Sequence, residues 1–366
     1  MVAKKILSFY NEKKVLVTGH TGFKGSWLSN WLHLLGAEVT GYSLDPKTDR
    51  DNFNVSGIAQ KINDIRADIR NIDIMANAFH EFRPEIVFHL AAQPIVRESY
   101  TGPKITFDTN IGGTVNLLEC CRLSDSVREV IIITSDKCYD NKEWIWGYRE
   151  EDAMGGYDPY SASKGATELV AASYRNSFFN PHEYEKHGKC LSTVRAGNVI
   201  GGGDWATDRI VPDCIRALEA GKDIIVRNPH ATRPWQHVLD ALSGYLLLGA
   251  RMRTDPAKFG GPWNFGPYMN AIIPVKELVE ELIRFYGTGS WKTNAQINQP
   301  HEAKFLALDI NKAIFRLGWK PSLEFEDTVR YTVEWYKASK ENGPVAEVTG
   351  HQIETFSEKL NWRIES

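Results

Sequence analysis

What this chain lacks narrows the field first. Only five of its 366 residues are cysteine. Apart from the adjacent Cys120 and Cys121 they are scattered, with no CxxC spacing, so reduced thiols, mostly in the core, are expected. No apolar run approaches the ~20 residues of a membrane span, and the opening MVAKKILSFYNEKK has no apolar h-region, so a cytoplasmic protein without a membrane partner is expected. The formal charge is only -3, with Lys and Arg dispersed and not striped, which gives no field for nucleic acid. The ten histidines include no HxxxH pair beside a carboxylate, so no catalytic metal is expected. There is no internal repeat, low-complexity tract or obvious linker.

What is present begins with VLVTGHTGFKGSWL, Val15 to Leu28. An apolar strand-like run breaks into Gly19, Gly22 and Gly25 and resumes as a helix. The spacing GxxGxxG allows a tight turn, a close approach to a diphosphate, and helix-on-strand packing, with the first helical N–H groups and the dipole aimed at the anion. The alternative is a tight strand-to-helix turn with no ligand. Trp27, Leu28, Trp31, Leu32 and Leu35 then recur at helical spacing until Gly36. AEVTGYSLD gives a second strand, and Asp45 follows Gly25 by 20 residues. A dinucleotide fold places there the carboxylate that binds adenosine ribose, which favours NAD over NADP. Lys47 and Arg50 lie nearby, and a turn residue before Pro46 is the other reading of Asp45.

Ile65 to Asp68 reads as a third strand, Ile72 to Phe82 as a helix stopped by Pro84, and EIVFHLAAQ as a strand buried on both faces. Thr106 to Leu123 follows at helical spacing, and EVIIITSD is a fifth buried strand. YDPYSASKGATELVAASYRNSF is a turn feeding a long helix, and CLSTVRAGNVIGGG is a sixth strand. This alternation predicts an α/β fold, a Rossmann-type doubly wound parallel sheet with ligands at the carboxyl ends of its strands. Beyond residue 200 the pattern loosens: helices at Arg209 to Ala220, Val238 to Met252 and Val275 to Tyr286, with short pieces at Asp223 to Val226, Trp263 to Phe265 and Lys304 to Leu308. A cofactor domain over 1–200, a smaller, partly interleaved substrate-binding domain over 201–340 and an appendage over 341–366 are expected.

Tyr160 and Lys164 form a YxxxK pair, which a helix stacks on one face. A close ammonium stabilises a phenolate, so the pair can take a proton from an alcohol; a surface aromatic beside a solvated lysine is the bland alternative. TGHTGFKG, LAAQ, the hydroxyl after the fifth strand and YSASK together resemble the extended short-chain dehydrogenase/reductase family over roughly residues 12–340. The resemblance implies NAD as cofactor, Ser135 as hydroxyl partner, Tyr160 as acid/base and Lys164 as the residue holding its charge and the nicotinamide ribose. It implies cofactor contacts from Gly19, His20, Thr21, Gly22, Phe23, Lys24 and Gly25, from Asp45, Asp68 and Ile69, and from Leu90, Ala91 and Ala92. His20 and Lys24 stand where relatives usually carry a small and an aliphatic residue. Family habit further implies a homo-oligomer, dimer or tetramer, joined through Thr106 to Leu123 and Tyr160 to Phe178.

TSDKCY narrows the class. In sugar-nucleotide 4,6-dehydratases a hydroxyl residue, an aspartate and usually a glutamate follow strand five; here they are Ser135, Asp136 and Lys137. Oxidation at C4 acidifies the C5 proton, so a base must take it and an acid must protonate the departing C6 hydroxyl. Lys137 would be the base, neutral in the reactive complex, and Asp136 the protonated acid. The other account of the pair is a surface turn. AAQPIVRESY, TSDKCYDN, GYREEDAMGGYDPYSASK and RAGNVIGGGDW resemble the 4,6-dehydratases of CDP-glucose, which makes CDP-glucose the implied substrate. The resemblance also implies that Asn198 meets the sugar or diphosphate and that Arg209, Arg233 and His301 approach the diphosphate or base, guanidinium groups suiting phosphate oxygens; an ordinary loop histidine is the alternative for His301. Gln93 and Arg97 would line the sugar site, Arg195 is a structural candidate, and Trp205, Trp235 and Trp263 are core by default. The rivals are another nucleotide-sugar dehydratase or epimerase, and a non-catalytic NAD-sensing protein.

Overall fold

The structure, a computed structural model, describes residues 2–293, 305–341 and 343–363. Its frame is a parallel sheet of seven strands. Six are β1 (Lys14–Thr18), β2 (Glu38–Ser43), β3 (Asn63–Arg66), β4 (Ile86–His89), β5 (Glu129–Ile133) and β6 (Cys190–Arg195). The seventh, Gly261–Asn264, comes back from the later chain to lie beside β6, so the spatial order runs from it through β6, β5, β4 and β1 to β2 and β3. The order reverses at β1, whose Val17 sits level with Gly41 of β2 and Phe88 of β4. A crevice opens at such a point, outside the carboxyl ends of the strands.

Both faces of the sheet are covered, which is why β4, β5 and β6 are buried at every position. Strand alternation divides the core in two. Val15, Val17, Ile131 and Ile133 pack on one side with Trp27 and Leu28 of the helix Phe23–Leu34; Leu16, Val130 and Ile132 pack on the other with Met75, Phe79 and Leu117. The helix Val238–Thr254 is apolar nearly all round, and it is buried along most of its length against the first face.

The segment Thr106 to Leu123 departs from one regular helix. It is the helix Pro103–Phe107, a π-helical turn Asp108–Gly112 and the helix Gly113–Leu123. Asn110 explains the bulge: its carbonyl accepts from Thr114 and Thr167 hydroxyls at 2.7 and 3.0 Å, and its side chain ties Gln93 to Ser163. At the end of the chain, Phe325–Lys340 and Val345–Lys359 form a helical pair that periodicity had not brought out. It packs on Phe23–Leu34, with Phe356 edge-on to Trp31 and the Trp335 indole N–H donating to Thr349 at 2.9 Å. Of the short piece Lys304 to Leu308, Leu308 makes a single bridge to Tyr148, and Lys304 lies outside the described residues. Among the described residues, no helix is long and apolar enough to cross a membrane.

Candidate active site

A cavity of about 1300 Å3 lies along the carboxyl ends of the strands. Its floor at one end is the glycine turn. Gly19 has φ +73°, and a Cβ there would lie 2.7 Å from the Ala91 nitrogen, so the turn rests directly on the end of β4. A Cβ on Gly25 would meet the Gly19 carbonyl at 2.1 Å, so helix and turn pack backbone to backbone. Gly22 is different: its Cβ would meet nothing nearer than the Gly19 oxygen at 3.3 Å. Gly22 is also the N-cap of Phe23–Leu34 and supplies no side-chain cap, which leaves the first-turn N–H groups open. An open glycine, uncapped donors and a helix dipole fit the diphosphate of a dinucleotide. Lys24 lines the same space, and burial with the charges of Arg209 and Lys164 lowers its pKa to about 8.

The other residues assigned to the cofactor divide. Thr21 lines the cavity while its hydroxyl clamps the end of β2 through Ser43 (2.9 Å) and the Leu44 carbonyl (3.0 Å). Phe23, Ile69, Leu90, Ala91 and Ala92 give apolar wall. Asp45 stands exposed at the rim, 3.3 Å from Arg66, and Asp68 is paired with Arg70 at 2.5 Å. His20 is a correction. Its side chain is fully buried away from the cavity, its Nε2 is 2.7 Å from Asp64, and its ring fills the space that a Cβ on Gly41 would need, 2.2 Å away. The larger residue therefore wedges the turn against β2, its side chain set apart from the cavity lining.

The chemical groups gather where β5 ends. Ser135 caps the short 3-10 turn Asp136–Cys138; its Oγ accepts from the Lys137 N–H at 3.2 Å and donates to Asp136 Oδ1 at 2.9 Å. Asp136 is buried, and Lys137 Nζ, half-exposed, lies 3.7 Å from Oδ1. Tyr160 and Lys164 enter from the helix Pro159–Ser177, which Asp158 caps by accepting from the Ser161 N–H at 2.9 Å, with Pro159 at the first position. Both are buried.

Lys164 and Tyr160 line the same cavity, with no hydrogen bond between their side chains among the described residues. Lys164 Nζ donates to the Ile133 carbonyl at 3.2 Å, and burial lowers its pKa to about 8. Burial raises the Tyr160 phenol above its ordinary value; the groups that favour its ionised form are Ser135, Lys137 and Arg209. Lys164 stands instead on a platform the sequence left half-seen. Glu168, one turn further on, meets Arg195 at 2.8 and 2.9 Å and accepts from Thr134 and Thr193 at 2.5 and 2.6 Å, tying the helix to the ends of β5 and β6. Arg195 is thus structural.

Toward the far end, Arg209 lines the cavity and is held by Asp204 at 2.7 Å, which raises its pKa. Arg97 meets Asp208 at 3.1 Å, and Arg233 donates to the Thr232 carbonyl at 2.9 Å while lining the cavity. Asn198 lines it with φ +50°, a left-handed position that asparagine tolerates. Gln93 lines it too, but its amide is spent on its own loop: Nε2 donates to Ile95 and Thr106 at 3.0 and 3.2 Å, and Oε1 accepts from the Ile95 N–H. The second lone pair of Oε1 is the part of that amide left open to a sugar hydroxyl. His301 lies outside the described residues. Trp263 is core, whereas Trp235 and Trp205 are buried with an edge on the cavity, Arg50 stacking 3.7 Å over Trp205. Gly197 was missed: a Cβ there would lie 1.9 Å from Asp136 Oδ2. Among the described residues no three His, Cys, Asp or Glu side chains gather as a metal site.

A parallel sheet with its glycine turn at the order reversal, and a serine, tyrosine and lysine set beside it, define an extended short-chain dehydrogenase/reductase. The chain belongs to the GDP-mannose 4,6 dehydratase family, whose model matches residues 16–332. It is 51% identical over 332 residues to a CDP-glucose 4,6-dehydratase of Salmonella typhimurium, covering 90% of this chain and 92% of that one. It is 26% identical over 353 residues to a dTDP-glucose 4,6-dehydratase of Shigella flexneri, covering 89% and 93%. Among solved structures it resembles a dTDP-glucose 4,6-dehydratase of Streptomyces venezuelae with NAD and TYD bound, with TM-score 0.74 and 25% identity over 90% of this chain and 99% of that one.

Proposed function

We propose that the protein is a hydro-lyase that converts CDP-D-glucose to CDP-4-keto-6-deoxy-D-glucose and water with bound NAD. The observation that carries the reading is the 51% identity over 90% of the chain to the Salmonella relative. The site supports it: an acid and a base 3.7 Å apart, Asp136 and Lys137, share one cavity with Tyr160. An epimerase returns hydrogen to the carbon it came from and needs no such pair; a dehydratase does.

NAD, when bound, supplies a reversible two-electron acceptor, so the overall reaction consumes no oxidant. The glycine turn and the open end of Phe23–Leu34 would hold its diphosphate, with Lys24 beside them, and Asp45 would serve the adenosine ribose. Tyr160, as the phenolate that Ser135, Lys137 and Arg209 favour, takes the C4 hydroxyl proton. Lys137 takes the C5 proton while Asp136 gives one to the C6 oxygen; the C6–O bond breaks, its electron pair leaves with the oxygen as water, and a C5=C6 double bond forms. Moving one proton from Lys137 Nζ to the Asp136 carboxylate produces both reactive forms at once. Lys137 afterwards returns its proton to C5. Tyr160 has then gained a proton and Asp136 has lost one. Ser135, 2.9 Å from Asp136 Oδ1 and facing the Tyr160 phenol, is the route between them.

Asn198, Arg97, Arg209 and Arg233 would hold the nucleoside diphosphate and sugar, with residues 201–340 as the substrate half and 341–366 as a brace behind the cofactor half. Leu169 on Pro159–Ser177, and Ile105 and Phe107 just before the π-turn, are exposed apolar side chains that suit a homo-oligomer joined there, in the cytoplasm. Offering CDP-, dTDP-, GDP- and UDP-glucose with and without added NAD tests the function. A 4-keto product from CDP-glucose supports it; product only from another sugar, or none, sinks it.

A further inference from the structure

Asp136 has two unlike sides. Toward the main cavity, Oδ1 accepts from Ser135 at 2.9 Å and lies 3.7 Å from Lys137 Nζ. On the other side, Oδ2 is buried without a hydrogen-bond partner among the described residues. Asp136 lines a second, small cavity together with Gly197, the residue whose Cβ position Oδ2 abuts, and there the centre of a water molecule has about 10 Å3 of room. Gln236 lines the same cavity, and its Oε1 is likewise buried and unpartnered.

The Gln236 amide cannot simply be turned round. Its Nε2 donates to the carbonyls of Gly197 at 3.2 Å and Phe265 at 3.1 Å, which fixes which end is which. Its backbone N–H donates to Asn198 at 3.3 Å, and its strand pairs with Val199, so the residue is anchored on both sides. Two acceptors therefore share a space about one water in size, which is roughly the least volume a buried water occupies. A water has two hydrogens to give. With one on Gln236 Oε1 and the other on Asp136 Oδ2, Oδ2 becomes the carbonyl-like oxygen of the acid, and the carboxyl proton is left to Oδ1, the oxygen that faces the cavity and whose remaining lone pair still accepts from Ser135.

We propose that a single buried water bridges Asp136 Oδ2 and Gln236 Oε1, making Gln236 a positioning residue that presents the proton of Asp136 to the leaving hydroxyl. Gln236 touches neither substrate nor cofactor; it acts through the acid. The inference rests on the dehydratase reading for its consequence, but not for the water.

Two measurements test it. In a crystal structure of the wild-type holoenzyme at atomic resolution, one water should stand about 3 Å from both oxygens. A dry cavity, or a reversed amide with Nε2 toward Asp136, overturns the proposal even if the protein is a dehydratase. In Gln236→Met, kcat on CDP-glucose should fall about tenfold or more with KM within about twofold. Reduced nicotinamide should build up during turnover, because C4 oxidation continues while water loss lags. A role in folding alone would lower cofactor content and slow oxidation and elimination together; that result, or an unchanged kcat, contradicts the positioning role. Should the variant not fold, the crystal decides. Absence of turnover in wild type counts against the dehydratase reading and leaves the water site standing or falling on the density.

Discussion

Gly197 and Asp136 claim the same space: a Cβ on residue 197 would lie 1.9 Å from Oδ2 of the carboxylate. The loop after β6 is therefore shaped around the acid. Gly197→Ala must move either the loop or Asp136, and a displacement of the order of an ångström at a reacting group costs about 100-fold in rate. We expect kcat to fall by about that factor with the cofactor content unchanged, measured by product formation and by absorbance of the purified protein. Full activity would mean that Asp136 does not need this position.

Lys137→Ala removes the candidate C5 base from the half-exposed side of the site. The variant should fold, keep its NAD and oxidise C4, yet lose water elimination, so incubation with CDP-glucose should give no 4-keto-6-deoxy product. Normal dehydratase turnover would end the role assigned to this lysine.

Glu168→Gln should chiefly weaken the fold. Glu168 and Arg195 are both buried, and the carboxylate accepts four side-chain hydrogen bonds from three partners: two from Arg195 and one each from Thr134 and Thr193. Removing one member of a buried pair leaves the other charge uncompensated, at about 3–5 kcal/mol. The denaturant midpoint should drop accordingly with an unchanged slope; a variant as stable as wild type would show the pair to be dispensable.

Cofactor affinity should depend on pH in one direction. In the ligand-free protein Lys24 titrates at about 8. A bound diphosphate favours its charged form, so binding takes up a proton once the pH exceeds the free value. NAD affinity should therefore fall as the pH rises through 8, by up to about tenfold per unit for one group. Lys24→Met should flatten the profile. Titration calorimetry in two buffers of different ionisation enthalpy reads the proton directly; zero uptake at pH 8.5 to 9, about a unit above the free value, would exclude Lys24 from the diphosphate site.

The sheet was legible because its central strands are buried on both faces and so read as unbroken apolar runs, EVIII being the plainest. Phe23–Leu34 was legible through its apolar spacing and the Gly36 that follows it, and Ile72–Phe82 through the Pro84 that stops it. The π-turn at Asn110 was not, because it depends on Thr167 and Ser163 of a distant helix. Val345–Lys359 was hidden for a similar reason: its stability comes from Trp31 and Trp335, and no strong local pattern announces it. At the site, spacing gathered Ser135, Asp136, Lys137, Tyr160 and Lys164 around one cavity. It could not give the direction of a side chain. His20 turned inward to Asp64 and Lys164 turned to the Ile133 carbonyl, both for tertiary reasons.

The central claim is that hydrogen leaves C4 and arrives at C6 within one molecule while water is lost. CDP-glucose carrying deuterium at C4, incubated with the purified protein in ordinary water, tests it most directly. The account predicts CDP-4-keto-6-deoxyglucose with the deuterium at C6 and no net change in NAD. Deuterium lost to solvent, retained at C4 in an epimer, or accumulated on the nicotinamide without elimination would contradict it.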